Sequence, residues 1–337
     1  MPDFAFIRLE TGRYLCGRGP FQRRAEAPPE GTTAFYRNGF DLDDEAPWLV
    51  PSEIFETDRL GDLLPDNGST PLPEIAWSGL GGTDLRGVFD DIIDQIEEGS
   101  LKKSVPVLTE RGILHRGEPA ALVHAIGGIP DNLWGYGHCE GGQGLVGATP
   151  EQLFRYEDGV VESMALAGTA PRHEAETFLT DPKEIREHEI VADYLAEILA
   201  EVGPVQRSER EVLDLGSIVH FLTRLRVDFG KARPDFDDLI RRMHPTPALG
   251  AFPRGDGALR RLLEYRERLR VPSEFGAPFG VWHQGRLSIL VAIRCVLWDG
   301  RDVFLPSGVG IVEGSRFDRE WRELALKRNS VKSLLGI

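Results

Sequence analysis

Paired carboxylates at helical spacing are the residues best placed to do chemistry in this chain. Glu184 and Glu187 stand three residues apart, and Glu320, Glu323 and Lys327 stand at i, i+3 and i+7 in DREWRELALKRNSVKSLL. Steps of three and four put side chains on one face of a helix. The apolar stripe Ile190, Val191, Tyr194, Leu195, Ile198 and Leu199, extended backwards, runs through Glu187 and then Glu184, so both carboxylates belong to a core-facing stripe. If the two acidic faces meet, they make a site for a hard cation such as magnesium, which takes a few carboxylate oxygens together with water and ligand oxygens. Blander readings stand beside this one. Glu184 also completes a capping box with Asp181, with Pro182 in the first helical position. Glu323 and Lys327 also suit a surface ion pair worth about 0.3–0.5 kcal/mol.

Arg294 interrupts the apolar run ILVAIRCVLW, where a guanidinium needs a partner: a structural carboxylate, or a substrate carboxylate held by its planar fork. Ser307-Gly308-Val309-Gly310 follows at the end of the next apolar run, where missing side chains let backbone approach a ligand. Lys102 and Lys103 open SVPVL, and strand alternation puts Lys103 on the face of Val105 and Val107. A desolvated lysine there has a lowered pKa and can act as a general base, whereas a solvated strand end is the ordinary case. His244, in the rigid turn His244-Pro245-Thr246-Pro247, is a ligand contact or a satisfied core histidine.

Around these residues the chain reads as one large domain. Residues 1–60 suggest short strands and turns, and 61–84 is a turn-rich connection. Leu85, Val88, Phe89, Ile92, Ile93 and Ile96 predict a helix that stops at Gly99. Strand-like runs follow at 104–108, 120–126, 144–148 and 162–168, then a long helix from Pro182. Past Arg233 come helix, turn and helix, strands at 287–298 and 302–312, and a last helix from about Asp318. Strands grouped in runs favour antiparallel sheets with helices packed outside.

Composition narrows the classes. The 337 residues carry 41% hydrophobic and 28% charged residues and a net charge of −15, which suits a globular protein and opposes nucleic-acid binding. No apolar run reaches the ~20 residues of a membrane helix, and the first residues lack signal-peptide design, so the expected location is cytoplasmic. Cys16, Cys139 and Cys295 have no Cys-x-x-Cys spacing, which argues against a disulfide framework or a zinc site.

Taken in order, GATPE at 147–151, ALAGTAPR at 165–172, DPKEIREHEIV at 181–191, HPTPALGAFPR at 244–254, VAIRC at 291–295, SGVGIVEGS at 307–315 and EWRELALK at 320–327 resemble the chorismate-utilising enzymes. That family includes isochorismate, salicylate, anthranilate and aminodeoxychorismate synthases. The resemblance covers residues 85–337, the chorismate-binding catalytic region, with residues 1–84 as a divergent N-terminal part of the same domain. It implies an α+β fold of two large, mostly antiparallel sheets with flanking helices, and a site for chorismate and Mg2+.

By the same resemblance Glu187 and Glu323 are metal ligands, with Glu184 and Glu320 auxiliary. Gly168, Thr169, Arg294, Gly308, Gly310 and Lys327 contact substrate, and His244 lines the pocket. Glu151 is the general acid and Lys103 the general base, with Lys102 as a possible substitute because Ser104-Val105-Pro106 departs from the family's wording after the lysine. Aminodeoxychorismate synthases carry a lysine where this chain has Ala167, and ammonia-using anthranilate synthases lack the base lysine. Both features favour water as nucleophile and isochorismate as product. Phe275 replaces a tyrosine that some members turn toward substrate, which bears on whether pyruvate is lost to give salicylate. An idle chorismate-binding subunit is the reading of a different class. No protein partner is implied.

Overall fold

Phe4 and Phe6 point into one apolar cluster while Ala5 and Ile7 point into another, so the first strand, Phe4–Glu10, is buried on both faces. That double burial defines the architecture. The computed structural model describes residues 2–64, 71–230 and 233–337. Among them, 17 strands form one continuous hydrogen-bonded network in which each pairing is antiparallel.

Followed from neighbour to neighbour, the network runs from Ile218–Asp228 through Val160–Pro171, Gln152–Glu157, Arg286–Val291 and Pro278–His283 to Ala34–Arg37. It continues through Trp48–Thr57, Arg13–Arg24, Phe4–Glu10, Trp134–Glu140 and Gln143–Thr149, and ends past Cys295–Asp299, Asp302–Gly308 and Val107–Arg116 at Glu74–Trp77. The ribbon folds over on itself. Strand residues from both halves, among them Ile7, Leu15, Phe35, Leu145, Val281, Leu290 and Leu297, fill the layer between them. Helices cover the outer faces: Pro182–Ala200 and Phe236–Met243 on one half, Val123–Ile126 and Phe317–Leu335 on the other. The two expected sheets are therefore two halves of one network, and residues 4–57 form its middle.

Several elements differ from the sequence reading. The run at 120–126 is helical, a 3-10 turn from Pro119 followed by Val123–Ile126; a short apolar run buried all round has no periodicity to separate helix from strand. Pro106 removes a ladder donor, and 104–108 divides into Lys103–Ser104 and the start of Val107–Arg116. The run at 287–298 breaks at Ala292–Arg294, where Arg294 takes a positive φ of 55°. The run at 302–312 also divides, since Ile311–Val312 leaves the network to join Lys103–Ser104 and Ala251–Phe252 in a three-stranded sheet. Within 61–84, Glu74–Trp77 is a strand, and residues 65–70 of that connection lie outside the described residues. No helix among the described residues is long and apolar enough to cross a membrane.

Candidate active site

The Pro182–Ala200 helix begins as its sequence requires: the Asp181 carboxylate accepts from the Lys183 and Glu184 amides at 2.9 and 3.4 Å. Glu184 does not return the favour. Its carboxylate instead accepts at 2.8 Å from the amide of Thr169 on the facing strand, so the capping box is only half made. The strand turns that amide outward through a bulge at Gly168, where φ is 74° and the pairing register slips.

The acidic faces of the two helices do meet, around a lysine. Lys183 Nζ lies 3.0 Å from Glu184 Oε1, 3.1 Å from Glu187 Oε2 and 3.5 Å from Glu320 Oε1. Lys103 holds Glu187 Oε1 at 3.0 Å, and Lys327 holds Glu323 at 2.6 Å while donating to the Gly308 carbonyl at 3.0 Å. Burial pushes Glu187 up, but Lys103 and Lys183 outweigh it and hold the carboxyl down at about 2. Glu184 and Glu320 are pushed up to about 7 by burial, against the pull of Lys183. Among the described residues no three Asp, Glu, His or Cys side chains converge as a ready metal cage. The donor set nevertheless fits a hard divalent ion: carboxylate oxygens surround one cationic point, and the buried Glu320 Oε2 has no hydrogen-bond partner.

Beside this cluster lies a pocket of about 660 Å3, part of it open to solvent, bordered by Glu151, Gly168, Thr169, Glu187, Arg294 and Lys327. Gly308 and Gly310 form part of its wall, with Ala167, Leu166, Phe275 and Ile293 as apolar cover. Gly310 leaves room for the Glu187 carboxylate, because a Cβ there would overlap Glu187 Oε1 and force it to shift, and would lie 3.0 Å from Lys103 Cε. Glu151 is 5% exposed, and burial pushes its carboxyl up to about 7 against the opposing charges of Lys103 and Lys327. Arg294 is lowered to about 10 by burial and keeps its charge near neutrality.

The sequence reading missed His220 and Lys183. His220 Nδ1 is 2.9 Å from the Gly168 carbonyl, which can only accept, so Nδ1 carries the proton and Nε2 receives the Arg294 guanidinium at 3.3 Å. Burial and Arg294 lower this imidazole to about 3, so it stays neutral. Arg294 thus leans on a histidine and leaves its remaining donors to the pocket, the outcome left open between structural and substrate partners. Lys103 is fully buried behind Gly310 rather than on the pocket wall, while Lys102 is exposed over the Phe252 ring. His244 is corrected: it is a core histidine whose Nε2 lies 2.8 Å from the Phe40 carbonyl and whose ring packs edge-on to Phe40, outside the pocket lining.

A mostly antiparallel ribbon folded over itself is flanked by helices that bring paired glutamates and lysines beside an arginine-bearing pocket. Comparison with known proteins identifies the class. The family model described as chorismate binding enzyme matches residues 85–336, and the chain belongs to that family. It is 32% identical over 206 residues to isochorismate synthase MenF of Bacillus subtilis (strain 168), covering 58% of this chain and 43% of the relative. It is 30% identical over 206 residues to anthranilate synthase component 1 of Acinetobacter calcoaceticus, covering 56% and 39%. The matched segment thus spans less than half the length of these curated relatives. The fold is similar to that of MenF, the menaquinone-specific isochorismate synthase from Escherichia coli, with a TM-score of 0.83 at 21% identity over 99% of this chain and 89% of that one. Anthranilate synthase component I from Streptococcus pneumoniae aligns with a TM-score of 0.70 at 16% identity, over 99% and 90%.

Proposed function

We propose that this chain is a cytoplasmic, magnesium-dependent isochorismate synthase, which adds water at C2 of the chorismate ring and expels the hydroxyl from C4. The observation that carries this reading is the convergence of Glu151, Thr169, Arg294 and Lys327 on one pocket whose wall includes Glu187. Relatives named isochorismate synthase add to it.

Chorismate carries two carboxylates, and the pocket offers two cations, Arg294 and Lys327, to receive them. Leu166, Ile293 and Phe275 line the pocket and would give the ring an apolar cover. Glu187 and Glu323 would hold the magnesium ion, with Glu184 and Glu320 beside them. When bound, the ion would neutralise and orient a substrate carboxylate. Glu151 is protonated below about pH 7 and gives its proton to the departing C4 hydroxyl. By the family resemblance Lys103, whose Nζ lies 3.0 Å from the pocket-wall residue Glu187, is the base that takes the proton from the attacking water. One water enters, one leaves, and the net change moves a hydroxyl from C4 to C2.

Incubation of purified protein with chorismate and Mg2+, with and without ammonium, tests this directly by chromatography. Isochorismate alone is the expected product. Salicylate with pyruvate would assign the chain to salicylate synthases, an aminated ring would refute water as nucleophile, and ligand binding without turnover would make it an idle chorismate-binding subunit.

A further inference from the structure

Lys183 touches three of the four glutamates, yet the proposed chemistry gives it no task. Its position follows from the helix: it lies four residues before Glu187, on the same face and one turn away, and next to Glu184. Three carboxylates within 3.0–3.5 Å of one ammonium make it the centre of the cluster. Lys103 and Lys327 each serve a single carboxylate at the rim.

We infer that Lys183 is a tethered cation that occupies the divalent-metal position, and that metal entry expels its ammonium from the cluster. The inference rests on the reading of these carboxylates as the metal site. A magnesium ion needs ligand oxygens at about 2.1 Å, and the oxygens it would recruit are those now bonded to Lys183. Two cations cannot share that point, because their repulsion at about 3 Å is unscreened by intervening water. The side chain is 11% exposed, so it keeps contact with solvent and the flexible four-carbon stem has a way out. The cluster is then nearly charge-balanced without metal, four carboxylates facing three ammoniums, and metal binding becomes an exchange of cations.

Two measurements test this. Mn2+ titration by calorimetry, without substrate, compares the unaltered protein with Lys183→Gln, and acetic anhydride labelling read by peptide mass spectrometry follows Lys183 in the unaltered protein with and without Mg2+. Loss of the competing ammonium should tighten Mn2+ binding about tenfold. Mg2+ should accelerate acetylation of Lys183 several-fold while the exposed Lys102 labels at a constant rate. Labelling of Lys183 that ignores Mg2+, in a protein that binds Mn2+, overturns the exchange and leaves the metal site standing. Failure of both proteins to bind Mn2+ overturns the metal site and the exchange together.

Discussion

Glu151→Gln removes the one carboxyl in the pocket that the account requires to be protonated, and its effect on stability can be worked out with its sign. In the unfolded chain the carboxyl ionises near its ordinary 4.5, and in the folded protein burial raises it to about 7. A raised folded value means that stability is fully present below about pH 4.5 and is lost as pH rises through about 7. At about 1.4 kcal/mol per tenfold, that interval corresponds to about 3 kcal/mol. The amide cannot ionise, so Glu151→Gln should gain about 3 kcal/mol relative to the unaltered protein between about pH 4 and pH 8. Urea unfolding of both proteins at the two pH values measures this difference, in which the titrations of Glu184 and Glu320 cancel. In parallel, kcat/KM of the unaltered protein should fall as pH rises through about 7, and the variant should lose about 10²–10⁴-fold. An equal stability difference at both pH values, or a variant with near-normal turnover, would refute the assignment of a buried, protonated acid.

Other substitutions probe the remaining parts. Lys103→Ala should lower kcat by about 10²–10⁴-fold, and because it strands Glu187 it should also lower the melting temperature; full activity would move the base elsewhere. Arg294→Lys keeps the charge but loses the fork, so KM for chorismate should rise about 10- to 100-fold, the equivalent of one charged hydrogen bond. Gly310→Ala should abolish Mn2+ binding while leaving the far-ultraviolet circular dichroism unchanged, since the new methyl group collides with Glu187; retained binding would remove Glu187 from the ligand set.

How much of this was legible in the sequence depended on whether the deciding contact was local. The Asp181 cap, the stop at Gly99 and the burial of Lys103 rather than Lys102 follow from spacing within a few residues, and the structure has them. Spacing alone favoured a cap for Glu184 and a surface ion pair for Glu323 and left only Glu187 even; the approach of two helices more than 100 residues apart in sequence is what brings these side chains together. His220 sits in the strand Ile218–Asp228, and its bond to Arg294 spans 74 residues, so no local signal marks it. Lys183 had a signal, a lysine four residues before Glu187 on the helix face, but a cation among expected metal ligands reads as a salt-bridge partner. His244 shows the converse, because a motif word placed it at the pocket while its ring is bonded to the Phe40 carbonyl, supplied by the N-terminal part of the chain.

Turnover of chorismate in 18O-labelled water tests the central claim most directly. Each isochorismate molecule formed with Mg2+ should carry one 18O atom at C2, and no conversion should occur after the metal is chelated. Isochorismate free of label, or a product without a C2 hydroxyl, would contradict it.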